Sequence, residues 1–193
     1  EYIYQMKRIS LNSTGIINAC CNVLIKGKVI VYPTDTLYGF GVNANNREAI
    51  KKINRIKRRT MPLSVLAPDK RTALSWMRLS KNEKILVSKI LGGNTTVIVP
   101  ILKDIVDSLI TGNDNTLGIR IPDHPFCNKL SKKFGGPITT TSVNRTGNPP
   151  MVNPDEIYEE FKNELDLLIE DGTIAGRGSS IYIYENGVLK KIR

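Results

Sequence analysis

Four short stretches gather residue types suited to holding anions. The segment "NNREAIKKINRIKRR", residues 45–59, carries Arg47, Lys51, Lys52, Arg55, Lys57, Arg58 and Arg59 against the single acid Glu48. Cations near the end of a helix complement its dipole by about 0.3–1 kcal/mol each and need no ligand to do so. Where the chain leaves the helix, though, arginine offers a planar fork of donors and lysine a point charge, and both suit phosphate. In "PITTTSVNRTGNPP", residues 137–150, a strand of threonines runs into Ser142, Asn144, Arg145, Thr146 and Gly147. That pattern fits a polar edge strand and its turn as well as a hydroxyl-lined site. "GIRIPDHP" sets Arg120 inside an apolar strand, where an unpaired charge costs on the order of several kcal/mol, so it needs an acid or an anionic ligand. Last, "VIVYPTDTLYGFGV", residues 29–42, passes from β-branched residues into Thr34, Asp35, Thr36 and Tyr38, loosened by Gly39 and Gly41.

Other chemistries lack their parts. There is no GxxxxGK[ST] phosphate loop and no GxGxxG after a strand, so phosphates would be held by side chains. His124, the one histidine, follows Asp123 at a predicted helix start without a serine or cysteine elbow, and a structural role is expected of it. Cys20, Cys21 and Cys127 show no metal-ligand spacing and are expected to be reduced and buried. Nor do His, Cys and carboxylates cluster as metal ligands.

The elements that must position these residues alternate irregularly. Helical spacing is present in "STGIINACCNVLIKGK", in the basic segment with Asn45 or Asn46 as cap, in "KNEKILVSKILGG", in "HPFCNKLSKKF" and in "PDEIYEEFKNEL". Strands are predicted from Lys28 through "VIVY", in "PLSVLA", "NTTVIVPIL", "LGIRIP", "PITTT" and "LDLLIEDG", and in a closing hairpin that turns at Asn186 and Gly187. Several connections between strands are too short for a parallel crossover, which predicts a mixed α/β sheet. At 193 residues, with 40% hydrophobic and 24% charged residues, the composition is that of a globular protein, and one domain over residues 1–193 is expected. No apolar run reaches about 18 residues and no signal-peptide pattern opens the chain, so no membrane partner and a cytoplasmic location are expected. A net charge of +10 favours nucleotide, polyphosphate or RNA partners.

In order, "YPTDTLYGFG", "IKRRTMPLSVL", "GIRIPDHP", "TTTSVNRTG" and "GRGSSI" resemble the YrdC/Sua5 family, from about Lys28 to Arg193. The resemblance implies an open, twisted, mixed sheet with flanking helices and a large basic concave cavity. It also implies an L-threonylcarbamoyladenylate synthase, a nucleotidyltransferase that uses L-threonine, bicarbonate and ATP and releases pyrophosphate. Mg2+ would arrive with ATP, with no metal held by the protein. The product would pass to a transferase complex that makes t6A in tRNA.

The family's Lys-x-Arg pair falls on Lys57 and Arg59 and its Ser-x-Asn pair on Ser142 and Asn144, which are thereby implied as catalytic and ATP-binding; Thr116 and Arg193 match positions near the nucleotide. Arg120 is implied to receive the threonine carboxylate, with Thr34, Thr36, Thr140 and Ser179 in the same amino-acid pocket. The chain departs from the family in a spacing from Arg59 to Pro62 about two residues short, in Leu66 where longer members often carry a histidine, and in "SVN" and "SSI" for "SAN" and "STI". Ending at Arg193, it matches the short YrdC-type form or a fragment of the long one. The rival readings are a double-stranded RNA- or tRNA-binding module of the same fold and a carbamoyl-transferring relative.

Overall fold

The structure, a computed structural model, describes residues 6–59 and 62–193. Thr60 and Met61, on which the short Arg59–Pro62 spacing rests, lie outside the described residues. In chain order the described elements are β1 (Lys7–Ser10), α1 (Ile16–Ile25), β2 (Ile30–Tyr32), β3 (Gly39–Gly41), α2 (Arg47–Lys57), β4 (Ser64–Leu66), α3 (Lys70–Trp76), α4 (Lys81–Ser88), β5 (Thr95–Pro100), β6 (Thr116–Arg120), α5 (Pro125–Phe134), β7 (Ile138–Ser142), α6 (Pro154–Phe161), β8 (Leu167–Glu170), β9 (Ser180–Glu185) and β10 (Val188–Lys191). The predicted strand at Lys28 starts two residues later, at Ile30. β1, β3 and α3 have no counterpart in the sequence reading.

The strands make one mixed sheet in the order β1-β8-β2-β3-β7-β4-β6-β5-β9-β10. Parallel pairs join β1 to β8, β2 to β8, β4 to β6 and β5 to β9. The remaining neighbours run antiparallel, β2–β3 and β9–β10 across short connections.

Side-chain alternation assigns the two faces. Val31, Val65, Val97, Val99, Leu117 and Ile119 point to one side, where α2, α3, α4 and α6 cover them with Ile50, Ile53, Ala73, Val87 and Phe161. On the other side, Ile30, Tyr32, Leu66, Ile138, Leu167 and Ile169 meet α1 and α5 through Cys20, Leu24, Phe126 and Leu130. These two helices cover only part of that face. Over β5, β6 and β9 the alternate positions Thr96, Ile98, Thr116, Gly118, Ile181 and Ile183 face a cavity instead.

Local chemistry sets the ends of α2. Asn46 caps its start, with Oδ1 accepting from the Ala49 amide at 3.0 Å. Arg58 ends it in the left-handed region at φ 55°, which costs a residue with a Cβ roughly 1–2 kcal/mol. That turn reverses the chain, and Arg59 then points back at β7.

Gly39 lines the cavity, whereas Gly41 makes room inside the sheet. They sit on the strand paired with β2, and a Cβ on Gly41 would lie 2.7 Å from the Tyr32 ring. Tyr32 is fully buried and donates its hydroxyl to the Thr139 carbonyl at 3.0 Å, so the ring cannot step aside. Gly41→Ala should therefore cost about 1–3 kcal/mol by overpacking. Urea denaturation would register it as a lower midpoint at unchanged slope, and an unaltered midpoint would show that the ring has room to move.

Candidate active site

The bare half of the sheet floors a cavity of about 1480 Å³. β7, β4, β6, β5 and β9 contribute Thr140, Ser64, Gly118, Ile98 and Ile183 to its base, and the Thr34–Gly39 segment and residues 177–179 form walls. Five arginines line it, Arg59, Arg78, Arg120, Arg177 and Arg193, against the acids Asp114 and Glu185. No lysine is among the lining residues. An anionic ligand is what such a surface fits.

At one end Arg120 is only 6% exposed. The acid that the sequence required for it is Asp35, whose Oδ1 accepts from Arg120 Nη2. Nη2 also donates to Thr36 Oγ1 at 2.9 Å, while Asp35 Oδ2 accepts from the Asp123 amide at 3.0 Å. Asp35 is absent from the cavity wall and stands behind the arginine. Nε of Arg120 is buried without a partner, and Nη1 makes no hydrogen bond among the described residues. Nη1, unpaired and not among the buried orphan atoms, is the donor a carboxylate could take up.

Thr34 and Thr36 now separate. Thr34 Oγ1 accepts from the amides of Thr36 and Leu37, at 3.1 and 3.2 Å, and donates to the Leu37 carbonyl at 2.7 Å. It is spent on the turn, whereas the Thr36 hydroxyl faces Arg120. Thr140 lines the cavity beside Ser64, its partner in the β4–β7 register. Ser179 Oγ lies 2.8 Å from Thr96 Oγ1, and Thr96 pairs in register with Arg120. Thr96 and Ser64 were not singled out in the sequence, although the alternation Thr-Val-Ile-Val-Pro across β5 announces which side chains share a face.

At the other end Lys57, Arg59, Ser142 and Asn144 are brought together. Lys57 is 2% exposed and is not among the lining residues. Its ammonium donates to the Ser142 carbonyl at 2.6 Å, the Asn144 carbonyl at 3.1 Å and Asn144 Oδ1 at 2.8 Å, above the Phe40 ring. Burial, with Arg59 adding to it, pushes the Lys57 pKa down to about 7. Asn144 Oδ1 also accepts from the Ser142 hydroxyl at 2.8 Å, and Asn144 Nδ2 donates to the Asn148 carbonyl at 2.7 Å. The lysine thus shapes the loop that follows β7. Arg59, lowered in pKa by burial, faces the cavity, where Nη2 donates to Thr141 Oγ1 at 3.2 Å and Nε is unpartnered.

Arg145 strengthens the same joint. It bonds Glu160 at 2.9 Å, Glu164, and the Ile56 carbonyl at 2.9 Å, and it stacks over Phe161 at 4.6 Å. The Thr146 amide adds a bond to the Lys57 carbonyl at 3.0 Å.

The last two predicted positions also reach the cavity. Thr116 bonds the Asn113 carbonyl at 3.0 Å, and Arg193 donates Nε and Nη2 to the Ser179 carbonyl at 3.1 and 2.9 Å. Leu66 does not face it. It is fully buried against the α1 and α5 side chains, beside Arg120 in register. His124 stands outside the site with its ring near Asp171 at 3.9 Å, and burial holds its pKa below the ordinary histidine value. Cys20, Cys21 and Cys127 are free and buried, and burial pushes the Cys20 thiol up to about 12. Among the described residues no group of three or more His, Cys, Asp or Glu is placed to hold a metal ion, and no helix is long and apolar enough to cross a membrane.

Residues 22–193 match the Sua5/YciO/YrdC family profile, described as telomere recombination. Threonylcarbamoyl-AMP synthase of Photobacterium profundum is 32% identical over 161 residues, which cover 81% of this chain and 86% of that one. A putative threonylcarbamoyl-AMP synthase of Methanocaldococcus jannaschii is 36% identical over 154 residues, covering 77% and 70%. The crystal structure of P. abyssi Sua5 complexed with L-threonine has the same fold, with a TM-score of 0.86 at 24% identity over 97% of this chain, which spans 56% of that longer protein. By a profile match that takes in every wall of the cavity, the chain belongs to the Sua5/YciO/YrdC family.

Proposed function

We propose that the chain is a threonylcarbamoyl-AMP synthase, which joins L-threonine, bicarbonate and ATP and releases pyrophosphate. The observation that carries this is the pairing, within one cavity, of a buried arginine with unused donors and a second arginine beside a hydroxyl-rich loop. Relatives named threonylcarbamoyl-AMP synthase supply the chemical identity. On this reading the α-carboxylate of threonine lies on Nη1 of Arg120, with the hydroxyls of Thr36, Thr140 and Ser179 around the amino acid. The triphosphate of MgATP lies by Arg59 and Ser142, and the nucleoside extends toward Thr116 and Arg193.

The reaction needs no covalent intermediate on the protein. The threonine nitrogen bonds to the bicarbonate carbon, water departs, and a carbamate forms with loss of protons to solvent. A carbamate oxygen then attacks the α-phosphorus as the bond to the β-phosphate oxygen breaks, and pyrophosphate leaves with the electron pair. Catalysis rests on holding the carbamate and α-phosphate in line and on neutralising charge at the phosphates. Mg2+ enters as part of MgATP. Lys57 serves the phosphates through Ser142 and Asn144, whose positions it fixes. The product is an activated carbamoyl donor, suited to transfer onto the adenosine amine of a tRNA in t6A formation.

Three measurements test this reading. Protein supplied with MgATP, bicarbonate and L-threonine should release pyrophosphate, and release that is absent, or equal without threonine, would reject it. Arg120→Ala should weaken threonine binding by about 10- to 100-fold, given the roughly 1.5–3 kcal/mol of a charged hydrogen bond, while ATP binding changes little. Calorimetry separates the two ligands, and equal losses would remove the carboxylate role. Asn144→Ala should raise the KM for ATP by a larger factor than the KM for threonine, because Ser142 and Lys57 lose their shared acceptor. A variant with both constants unchanged would mean that the loop's shape is unimportant.

A further inference from the structure

The Arg120 end of the cavity has a charge deficit. Threonine carbamate carries two carboxylates, and one of them would occupy Arg120. Arg120 is already neutralised by Asp35, so the pair brings no net positive charge to a dianion. Arg59 stands at the other end, on Thr141, and Arg78 reaches the Asp114 carbonyl. Arg193 has two of its donors committed to the Ser179 carbonyl. A second carboxylate needs one more cation.

Arg177 is the side chain placed to supply it. It lines the cavity, it is exposed, and it makes no hydrogen bond or ion pair among the described residues. Its backbone is held on both sides. A Cβ on Gly176 would lie 1.9 Å from the Thr36 carbonyl oxygen, so residue 176 rests on the turn that carries Asp35 and Thr36. A Cβ on Gly178 would lie 3.3 Å from the Arg193 guanidinium, and Ser179 is tied to Thr96, the register partner of Arg120. Upstream, the Tyr38 hydroxyl accepts from the Asp171 amide at 2.8 Å and donates to the Gly172 carbonyl at 2.7 Å, and the Ile174 amide bonds the Val152 carbonyl at 3.0 Å. Segment 171–179 is therefore a strap fastened across the Arg120 end, and Arg177 is its one charged side chain between the two glycines that hold it. Arginine suits the position, since its fork can bridge a carboxylate and a phosphate oxygen in one plane.

We propose that Arg177 is a catalytic residue of this cavity that binds the carbamate carboxylate of threonine and the adjoining α-phosphate oxygen. The inference rests on the reaction proposed above. It extends that reading by assigning the cation at the point where the carbamate oxygen attacks, the place where charge shifts from the carbamate toward the departing pyrophosphate.

Arg177→Ala should lower kcat for threonine-dependent pyrophosphate release by about 10²-fold, the effect of removing one donor at developing charge, with the KM values of threonine and ATP changing far less. Arg177→Lys should recover only part, since it keeps the charge and loses the fork. Because Arg177 is exposed and unpaired, unfolding midpoints should match the wild type. A second readout needs no variant. Trypsin should cut the unliganded protein after Arg177, and MgATP with threonine and bicarbonate should slow that cut, as mass mapping would show. Wild-type kcat in Arg177→Ala, or cleavage equally fast with and without all three substrates, would overturn the proposal. A wild-type protein that releases no pyrophosphate would instead count against the reaction itself.

Discussion

A single buried ammonium sets the geometry on which the site depends. Lys57 stands at the end of α2, 2% exposed, and gives three hydrogen bonds to oxygens of one loop. A buried cation stripped of its acceptors costs several kcal/mol on the order seen for broken buried pairs, so the loop after β7 is confined to the shape that supplies them. Ser142 and Asn144 are oriented as a by-product of that requirement. Arg145 and the Thr146 amide fix the same loop to the same helix end from outside. Helix, loop and strand are thereby one rigid unit, and the low pKa of Lys57 follows from its enclosure within it.

The cavity's electrostatics are built in two tiers. Lysine works behind the wall, where a compact charge can be surrounded by carbonyls. Arginine works on the wall, where a flat, weakly hydrated group can give some donors to the protein and keep others for a ligand. Arg120 shows the division within one side chain, with Nη2 committed to Asp35 and Thr36 and Nε left buried and unused. Asp35 settles the direction of that guanidinium before any ligand arrives, so orientation does not have to be established at binding.

Much of this was legible in the residues. The amphipathic helices, the strands β5 and β6 and the Asn-Gly hairpin were readable because each is a local pattern with a local cause. The need of Arg120 for a counterion was legible too, since it follows from burying charge. The identity of the counterion was not, because Asp35 and Arg120 lie 85 positions apart. β1 and β3 escaped for a related reason. Four and three residues long, they are strands only because β8, β2 and β7 lie beside them. Gly41 of β3 is a similar case. A glycine reports that space is needed, but not whose, and here the space belongs to the Tyr32 ring. Lys57 and Arg59, two residues apart and alike in charge, differ in role because Arg58 turns the chain between them.

The strand order has a consequence for how the protein is made. β8 is inserted between β1 and β2, and it is the parallel partner of both. Until Leu167–Glu170 have been synthesised, the first two strands face one another across a gap, each with an open row of amides and carbonyls, and β2 is buried on both faces in the finished fold. Such contacts, distant in sequence, form late and slowly, and an open apolar edge is where nascent chains stick to one another. The β1–β2 part of the sheet is therefore closed by a strand far downstream of both, and the early strands keep open edges until it arrives.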